Sequence, residues 1–359
     1  MLIVDAHEDL AWNILTFQRD YTQSAIETRR KEAATSIPQW NGDTLLGYPE
    51  YQSASVAVIF STLFAAPLRR KMGEWDTQCY RDAKEAQKLY RSQVDVYRKL
   101  SSQYPDKFQI LYSKKDLAAL LDHWQYQTGD HPVGLVMLME GAEGILQPAQ
   151  VADWWDLGVR LIGPAWAGNG YCGGTGEPGG LTKLGYELLE HMAELGMILD
   201  LSHMDEKAAL QALDTYPGSI IASHANAIAL LKGSESNRHL SDPVIQRIIE
   251  RNGVIGVVPF NVFLKVGWKT GDSREEVTLN HVVAQIDHIC QIAGNTNHAA
   301  LGTDFDGGFG KQSVPLEIDT IADLQKIGDL LQARGYSQTD CEQILGKNWL
   351  NILMENLPE

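Results

Sequence analysis

Short apolar segments recur along the chain, and polar stretches separate them. Several segments are continuously apolar rather than alternating, which is typical of strands buried on both faces of a parallel sheet. We number the segments from one to eight in chain order. They are Leu2–Val4, Ser55–Phe64, Val133–Met139, Arg160–Gly163, Met197–Leu201, Ser219–Ala222, Gly253–Pro259 and Ala299–Gly302.

The stretches between these segments have apolar residues at helical spacing. The predicted helices are Asp76–Gln103, Leu181–Leu195, Glu206–Leu213, Asp242–Arg251 and Leu279–Ala293. Asp242 followed by Pro243 fits an N-cap with proline at the first helical position. Ile318–Arg334 and Thr339–Glu355 are expected to close the fold. This alternation predicts an α/β fold, a (β/α)8 TIM-type barrel with closing C-terminal helices, and the alternative is a doubly wound open sheet.

Two regions interrupt the alternation. Gln18–Tyr51 is polar and has no clear period, so we expect an insertion at about residues 18–51, after the first strand. Gly168–Gly180 contains seven glycines and is expected to form a long mobile loop after the fourth strand. No repeat or linker divides the chain, which indicates a single domain over residues 1–359.

Composition narrows the functional classes. The chain has 359 residues and a formal net charge of -16, which disfavours binding to nucleic acid or to anionic membranes. No apolar stretch approaches the ~20 residues that a membrane span needs. The N-terminal sequence lacks the features of a signal peptide, and the four cysteines are scattered. We therefore expect a cytoplasmic protein with reduced thiols.

Residue types that bind metals follow five of the predicted strands. In a (β/α)8 barrel the C-terminal ends of the strands meet at one mouth, so these residues should converge. Imidazoles and carboxylates together suit zinc, and a central carboxylate can bridge two ions. The candidates are His7 and Asp9 after the first strand, Glu140 after the third, His203 after the fifth, His224 after the sixth and Asp304 after the eighth.

Each candidate alone has an ordinary explanation. A histidine that ends an apolar strand is more often a hydrogen-bonded core residue than a ligand. Glu140 would also fit near a helix N-terminus, and Asp304 and Asp306 would also fit as turn caps. The combination of five strand ends is harder to explain in this way, and it favours a metal site.

In order and combination, several motifs resemble those of the renal, or membrane, dipeptidase family of the amidohydrolase superfamily. The resemblance extends from the first strand nearly to the C-terminus. The motifs are Asp5-Ala-His-Glu-Asp-Leu10, Met139-Glu-Gly-Ala-Glu-Gly144, Asp200-Leu-Ser-His203, Ser223-His-Ala-Asn-Ala227, Arg238-His-Leu-Ser-Asp242, Gly302-Thr-Asp-Phe-Asp-Gly307 and Leu345-Gly-Lys-Asn348.

The resemblance implies a role for each candidate. His7 and Asp9 would bind the first zinc, His203 and His224 the second, and Glu140 both. Asp304 would take a proton from the water that bridges the metals and pass it to the leaving amine. Two Zn2+ per chain are therefore expected, although the ligands also accommodate Mn2+ or Co2+.

Substrate contacts are also implied. Arg238 would bind the substrate's C-terminal carboxylate, a task that suits a bidentate guanidinium. The alternative for Arg238 is a surface ion pair with Asp242. In the segment from Gly163 to Asn169, Trp166 stands where the family usually has a histidine. We expect Trp166 and Asn169 to contact substrate.

The leading functional prediction is hydrolysis of small amides, most simply dipeptides, with the bridging water as nucleophile. Trp166 motivates a second reading, in which the same metal site acts on another amide, an N-acyl-D-amino acid, a lactam or a lactone. A third is a catalytically silent barrel retained as a binding protein. The expected partner is a small-molecule or dipeptide substrate, and the family suggests a homodimer.

Overall fold

Eight parallel strands form the centre of the fold in a computed structural model that describes residues Met1 to Glu359. We label them β1 to β8 in chain order. They are β1 (Ile3–Glu8), β2 (Val56–Phe64), β3 (Val133–Glu140), β4 (Val159–Gly163), β5 (Ile198–Asp200), β6 (Ile220–Ile221), β7 (Ile255–Val257) and β8 (Ala299–Leu301).

The sheet closes on itself. Strands β1 to β6 pair in chain order, and β7 pairs with β8. A parallel bridge between Ala222 and Ile255 joins β6 to β7, and another between Glu8 and Phe305 joins the segment after β8 to β1. The predicted (β/α)8 barrel is therefore confirmed. Each of the eight apolar segments contributes one strand.

Helices fill the connections between the strands and follow β8. They are Leu10–Phe17, Ala25–Glu32, Ile37–Trp40, Tyr48–Ala54, Ala83–Gln103, Lys114–Tyr126, Val151–Leu157, Lys183–Glu194, Glu206–Thr215, Asp242–Glu250, Leu279–Ala293, Gln325–Ala333, Gln338–Glu342 and Asn348–Asn356, with a π-helical turn at Gln343–Lys347. No helix combines the length and apolar character that crossing a membrane requires.

The helix starts predicted at Asp76, Leu181 and Ile318 were wrong, and Asp242 is the predicted helix start but not the N-cap. The long helix after β2 begins at Ala83 rather than Asp76, because Asp82 is its N-cap and accepts hydrogen bonds from the backbone N–H groups of Lys84 and Glu85. Asp242 is the first helical residue and Ser241 is the N-cap, so Pro243 occupies the second position. Proline is tolerated at both positions, because neither N–H has a partner within the helix.

The apolar core has two parts. Neighbouring residues of one strand, such as Ile3 and Val4, belong to different buried clusters, because successive side chains point to opposite faces of a sheet. One cluster lies between the strands and the helices. The other fills the barrel and includes Val4, Phe60 and Trp349 of the last helix. Trp349 also donates from its indole N–H to the Leu301 carbonyl, 2.8 Å away.

The segment of residues 18–51 is more ordered than its sequence pattern suggested. It contains helices, and the buried carboxylate of Asp306 ties it to the loop after β8. Nη1 of Arg19 lies 3.1 Å from Oδ2 of Asp306, and the Leu45 N–H donates to Oδ1 at 2.8 Å. Tyr21 donates its hydroxyl to the same carboxylate. Asp306 is therefore an anchor between two loops rather than a simple turn cap.

The glycine-rich segment after β4 forms an antiparallel hairpin, Cys172–Gly174 with Glu177–Leu181, instead of an irregular loop. A methyl group added at Gly173 would lie 2.2 Å from the backbone nitrogen of Gly179. The glycines therefore allow the two backbones to approach closely. The sequence pattern had predicted a long mobile loop here.

Candidate metal centre

The barrel brings the predicted metal-type residues to one mouth. Most of these side chains are almost completely buried, and Asp304 is slightly more exposed. They come from the C-terminal ends of β1, β3, β5, β6 and β8. The residues are His7, Asp9, Glu140, His203, His224 and Asp304.

Glu140 occupies the centre of this group. It is the last residue of β3, and its two oxygens face different imidazoles. Oε2 lies 3.5 Å from Nε2 of His7. Oε1 lies 3.0 Å from Nε2 of His203 and 3.4 Å from Nε2 of His224.

The other two carboxylates lie on the His7 side. Nε2 of His7 is 4.0 Å from Oδ2 of Asp9 and 3.9 Å from Oδ1 of Asp304. His7, Asp9 and Asp304 could together hold a cation, and His7, Glu140 and His224 form a second such group. Both groups contain His7, so the two groups of candidate donors adjoin at this imidazole.

Hydrogen bonding within the group is incomplete, as expected for metal ligands. Neither ring nitrogen of the buried His7 has a hydrogen-bond partner. Nε2 of His203 lies 3.0 Å from Nε2 of His224, and at most one of these two nitrogens can donate to the other. Buried polar atoms are normally paired, and a cation would satisfy these atoms together. The donor set therefore fits a metal centre.

The electrostatic environment favours the metal-binding protonation states of His203, His224 and Glu140. Burial and the nearby Arg238 lower the pKa of His203 to about 4, and burial lowers the pKa of His224 well below its usual value. Burial opposes ionisation of Glu140, but His7 and the hydrogen-bonded imidazoles hold its pKa well below normal. Neutral imidazoles and an ionised carboxylate are the forms that ligate metals. Burial lowers the pKa of His7, but the carboxylates of Glu140, Asp9 and Asp304 outweigh it and raise the pKa to about 10, so a metal ion would have to displace a proton from this ring.

Hydroxyl groups orient the two paired imidazoles. Oγ1 of Thr175, at the tip of the glycine-rich hairpin, lies 2.9 Å from Nδ1 of His203. Oγ of Ser223 lies 2.8 Å from Nδ1 of His224 and donates to the Asp200 carboxylate at 2.5 Å. Such contacts fix the ring that presents its other nitrogen to a metal. Sequence reasoning missed Thr175, which no strand-end pattern marks.

Backbone strain coincides with the site. His203 has φ 67° and Asp304 has φ 57°, both in the left-handed region that non-glycine residues rarely adopt. The conformation aims these two side chains into the cluster, and the surrounding structure has to hold it in place.

Asp304 lines the cavity above the cluster, as do Asp9 and Glu140. Burial raises its pKa well above normal, and although His7 opposes this, the charges of Asp9 and Glu140 add to it. A carboxyl group with a raised pKa can both accept and return a proton near neutral pH.

A cavity of about 270 Å³ opens above the cluster. Eight of its 18 lining residues are hydrophobic, and six of these are aromatic. The aromatic residues are Trp12, Phe64, Trp166, Phe260, Phe263 and Phe309. A cavity of this size and composition suits a small organic substrate with apolar parts.

Arg238 lines this cavity while remaining buried. Its Nη2 donates to the backbone carbonyl of His224 at 2.7 Å, and its Nε and Nη1 have no partner. Asp242 instead contacts His288, with 2.8 Å between Oδ1 and Nε2. The surface ion pair between Arg238 and Asp242 is therefore absent, and the free guanidinium nitrogens fit an anionic ligand.

Trp166 and Asn169, in the segment after β4, were both expected to contact substrate, but only one of them lines the cavity. Trp166 lines the cavity, with its ring centroid 6.0 Å from that of His203. Asn169 does not line it. Its side-chain amide donates to the Pro164 carbonyl, and its oxygen accepts from the Tyr171 N–H, so it shapes the hairpin. The structure gives no support for substrate contact by Asn169.

Comparison with known sequences identifies the family of the chain. A family model described as membrane dipeptidase, peptidase family M19, matches residues 1–357. An uncharacterised protein from the pqqA 5′ region of Klebsiella pneumoniae is 33% identical over 234 residues, which cover 62% of this chain and 82% of that protein. Dipeptidase tcpJ of Claviceps purpurea is 28% identical over 275 residues, which cover 73% of this chain and only 59% of tcpJ.

Solved structures share the fold. A metallopeptidase from Rhodobacter sphaeroides, liganded with a phosphinate mimic of the dipeptide L-Ala-D-Ala, has a TM-score of 0.78 and 22% identity, with 99% of each chain covered. The probable dipeptidase PvdM from Pseudomonas aeruginosa has a TM-score of 0.79 and 20% identity, with 99% of this chain and 95% of that chain covered. Because the family model spans nearly the whole sequence, this chain belongs to the membrane dipeptidase family of metallopeptidases, peptidase family M19.

Proposed function

We propose that this protein hydrolyses the amide bond of dipeptides and related N-acyl amino acids at a centre for two metal ions. The observation that carries this proposal is the position of Glu140, whose two oxygens face His7 on one side and the His203–His224 pair on the other. A carboxylate so placed suits a shared ligand. The resemblance to known dipeptidases supports the choice of substrate.

In this proposal His7 and Asp9 bind one ion, His203 and His224 bind the other, and Glu140 binds both. Zinc suits this mixture of imidazole and carboxylate, and manganese or cobalt would also be accommodated. When bound, such ions polarise the substrate carbonyl and lower the pKa of a shared water towards neutrality.

Asp304 serves as the proton carrier. Its side chain lines the cavity and lies on the His7 side of the cluster. It takes the proton that the nucleophilic water loses and returns it to the leaving amine.

Arg238 holds the substrate's C-terminal carboxylate. Its Nε and Nη1 are buried and have no partner within the protein, so an incoming carboxylate would satisfy both. The third nitrogen, Nη2, is bonded to the His224 carbonyl, which fixes the guanidinium relative to a proposed ligand. This arrangement sets the distance between the bound carboxylate and the scissile bond.

A second candidate keeps the metal site and changes the substrate. Trp166 lines the cavity where the family usually has a histidine, and an indole donates only one N–H and carries no charge. If that histidine assists in stabilising the oxyanion, its absence would cost about 10²–10³ in rate on an ordinary dipeptide. An N-acyl-D-amino acid, a lactam or a lactone would then be the better substrate.

A substrate panel on metal-depleted and metal-reloaded protein tests the proposal. The panel contains L-Ala-L-Ala, L-Ala-D-Ala, N-acetyl-D-Ala, a γ-lactone and a β-lactam, each measured with zinc, manganese and cobalt. We expect chelation to abolish hydrolysis of a dipeptide and metal to restore it. Metal-dependent turnover of only the lactone, the lactam or the N-acyl compound would favour the second candidate.

A catalytically silent barrel is the remaining alternative. It predicts that no compound of the panel is turned over with any metal, although the protein folds and binds ions. Metal-dependent hydrolysis that Asp304→Asn abolishes would exclude a silent barrel.

A further inference from the structure

A second arginine lines the cavity, nearer the mouth than Arg238. We propose that Arg70 binds a second anionic group of the substrate, so that the preferred substrates are dipeptides or N-acyl amino acids with a carboxylate in addition to the C-terminal one. This inference rests on the proposed function, because it concerns the selectivity of the same site.

Arg70 is held at the rim by its local structure. It ends the short 3-10 helix Leu68–Arg70, which follows β2, and 39% of its side chain is exposed. The guanidinium lies against the tip of the glycine-rich hairpin. A methyl group at Gly176 would lie 2.7 Å from Nη2 of Arg70, so the absence of a side chain there leaves room for the guanidinium.

The positive charges of Arg69 and Arg70 at the rim are only partly neutralised by a neighbouring carboxylate. Arg69 and Arg70 both contact one carboxylate, that of Glu177. Arg69 binds it through two nitrogens, at 2.9 and 2.7 Å, whereas Arg70 reaches it only through Nε at 3.3 Å. Two cations against one anion leave a surplus positive charge, and Arg70 carries the less well paired guanidinium.

The cavity itself supplies no spare acidic partner for Arg70. Its acidic lining residues are Asp9, Glu140 and Asp304, all of which belong to the proposed metal centre. The whole chain has a formal net charge of -16, so positive charge at this mouth contrasts with the protein as a whole. A positively charged side chain at the mouth of a cleft attracts anionic groups of a substrate.

The two arginines are held at different depths of the same cavity. Arg238 is 3% exposed and lies beside the ligand cluster, while Arg70 is partly exposed at the rim. The hairpin tip contacts the neighbourhood of both arginines. Gly176 lies against Arg70, and its N–H donates at 2.8 Å to Oδ1 of Asn237, which precedes Arg238 in the sequence. A substrate whose C-terminal carboxylate binds Arg238 would therefore present a second carboxylate near the mouth to Arg70.

The test compares acidic dipeptides with their uncharged isosteres. Glu-Ala is measured against Gln-Ala, and Ala-Glu against Ala-Gln, on the metal-loaded enzyme at low salt. We expect one acidic member to exceed its isostere by about two- to fivefold in kcat/KM, the range for a partly exposed ion pair. Arg70→Gln should remove that advantage and leave the isostere nearly unchanged. Added salt should reduce the advantage.

Two further variants sharpen the result. Arg81→Gln removes the same charge from an exposed arginine that pairs with Glu85 and does not line the cavity, so it should retain the preference. Glu177→Gln removes the counter-charge and should increase it. Equal rates for acid and isostere, or a preference that survives Arg70→Gln, would overturn the inference. Continued hydrolysis of the uncharged dipeptides would show that the proposed function itself stands.

Discussion

Oε1 of Glu140 lies 3.0 Å from Nε2 of His203, while the other oxygen of the same carboxylate faces His7. The two imidazoles come from strands β1 and β5, which are far apart in the sequence and on different sides of the barrel mouth. One carboxylate thus connects two groups of ligands. Each part of the proposed reaction depends on this connection, and the following variants test the parts separately.

Asp304→Asn should separate metal binding from proton transfer. The amide keeps the size of the side chain but cannot carry a proton between the water and the leaving amine. We expect kcat on a dipeptide to fall by about 10²–10⁴. Metal content should stay at the wild-type value, because the proposed ligands are unchanged. Steady-state kinetics and metal analysis on one preparation check this, and activity within tenfold of wild type would contradict the role.

Thr175→Val should weaken metal binding without removing a ligand. Its hydroxyl lies 2.9 Å from Nδ1 of His203, and loss of such an orienting contact costs about 10–100-fold in metal affinity. Thr175→Ser retains a hydroxyl and should restore most of the affinity. Competition with a chromophoric chelator measures both variants. Wild-type affinity in Thr175→Val would mean that the hairpin tip does not orient His203.

Arg238→Gln should lower kcat/KM for dipeptides by about 10–100-fold, as expected when a hydrogen-bonded charge pair with substrate is lost. The comparison substrate is the same dipeptide with a C-terminal carboxamide. The wild-type enzyme should prefer the free acid, and the variant should show little preference. An unchanged preference for the free acid in the variant would be inconsistent with a carboxylate contact at Arg238.

The pH dependence of stability should report on His239. Burial, reinforced by Arg238, lowers its pKa from 6.5 to about 3 in the folded protein. Below pH 6.5 the unfolded chain takes up a proton that the folded chain refuses until about pH 3, so the native state loses stability across this window. His239→Gln should reduce that loss in metal-free protein.

Urea unfolding midpoints at pH 7 and pH 4.5 measure this effect. The matched control is His191→Gln, which changes an exposed histidine on the outer helix Lys183–Glu194 and should leave the wild-type difference intact. If His239→Gln and wild type lose equal stability on acidification, then His239 is not held neutral by its surroundings.

Strand positions and the metal-type residues were accessible from the sequence because both depend on short patterns. Apolar runs such as Val133–Met139 are read directly, and the barrel geometry then brings the next residue, Glu140, to the common mouth. The distances between His7, Glu140 and His203 could not be predicted from the sequence, because they depend on side-chain packing across the barrel.

Contacts between distant loops were not predictable. Thr175 reaches His203 only because a glycine-rich hairpin folds over the mouth, and Asp306 meets Arg19 across 287 positions of sequence. Asn169 was expected to contact substrate. Its amide is instead bonded within its own loop, a local turn interaction that competes with any ligand contact.

Metal stoichiometry tests the central claim most directly. Wild-type protein and Glu140→Gln are stripped with a chelator, reloaded with zinc, desalted and analysed by inductively coupled plasma mass spectrometry. We predict two zinc ions per chain in the wild type, with dipeptide hydrolysis that follows the second equivalent, and at most one in Glu140→Gln. Fewer than one zinc ion per wild-type chain, or full activity in Glu140→Gln, would contradict a shared carboxylate at the centre of the site.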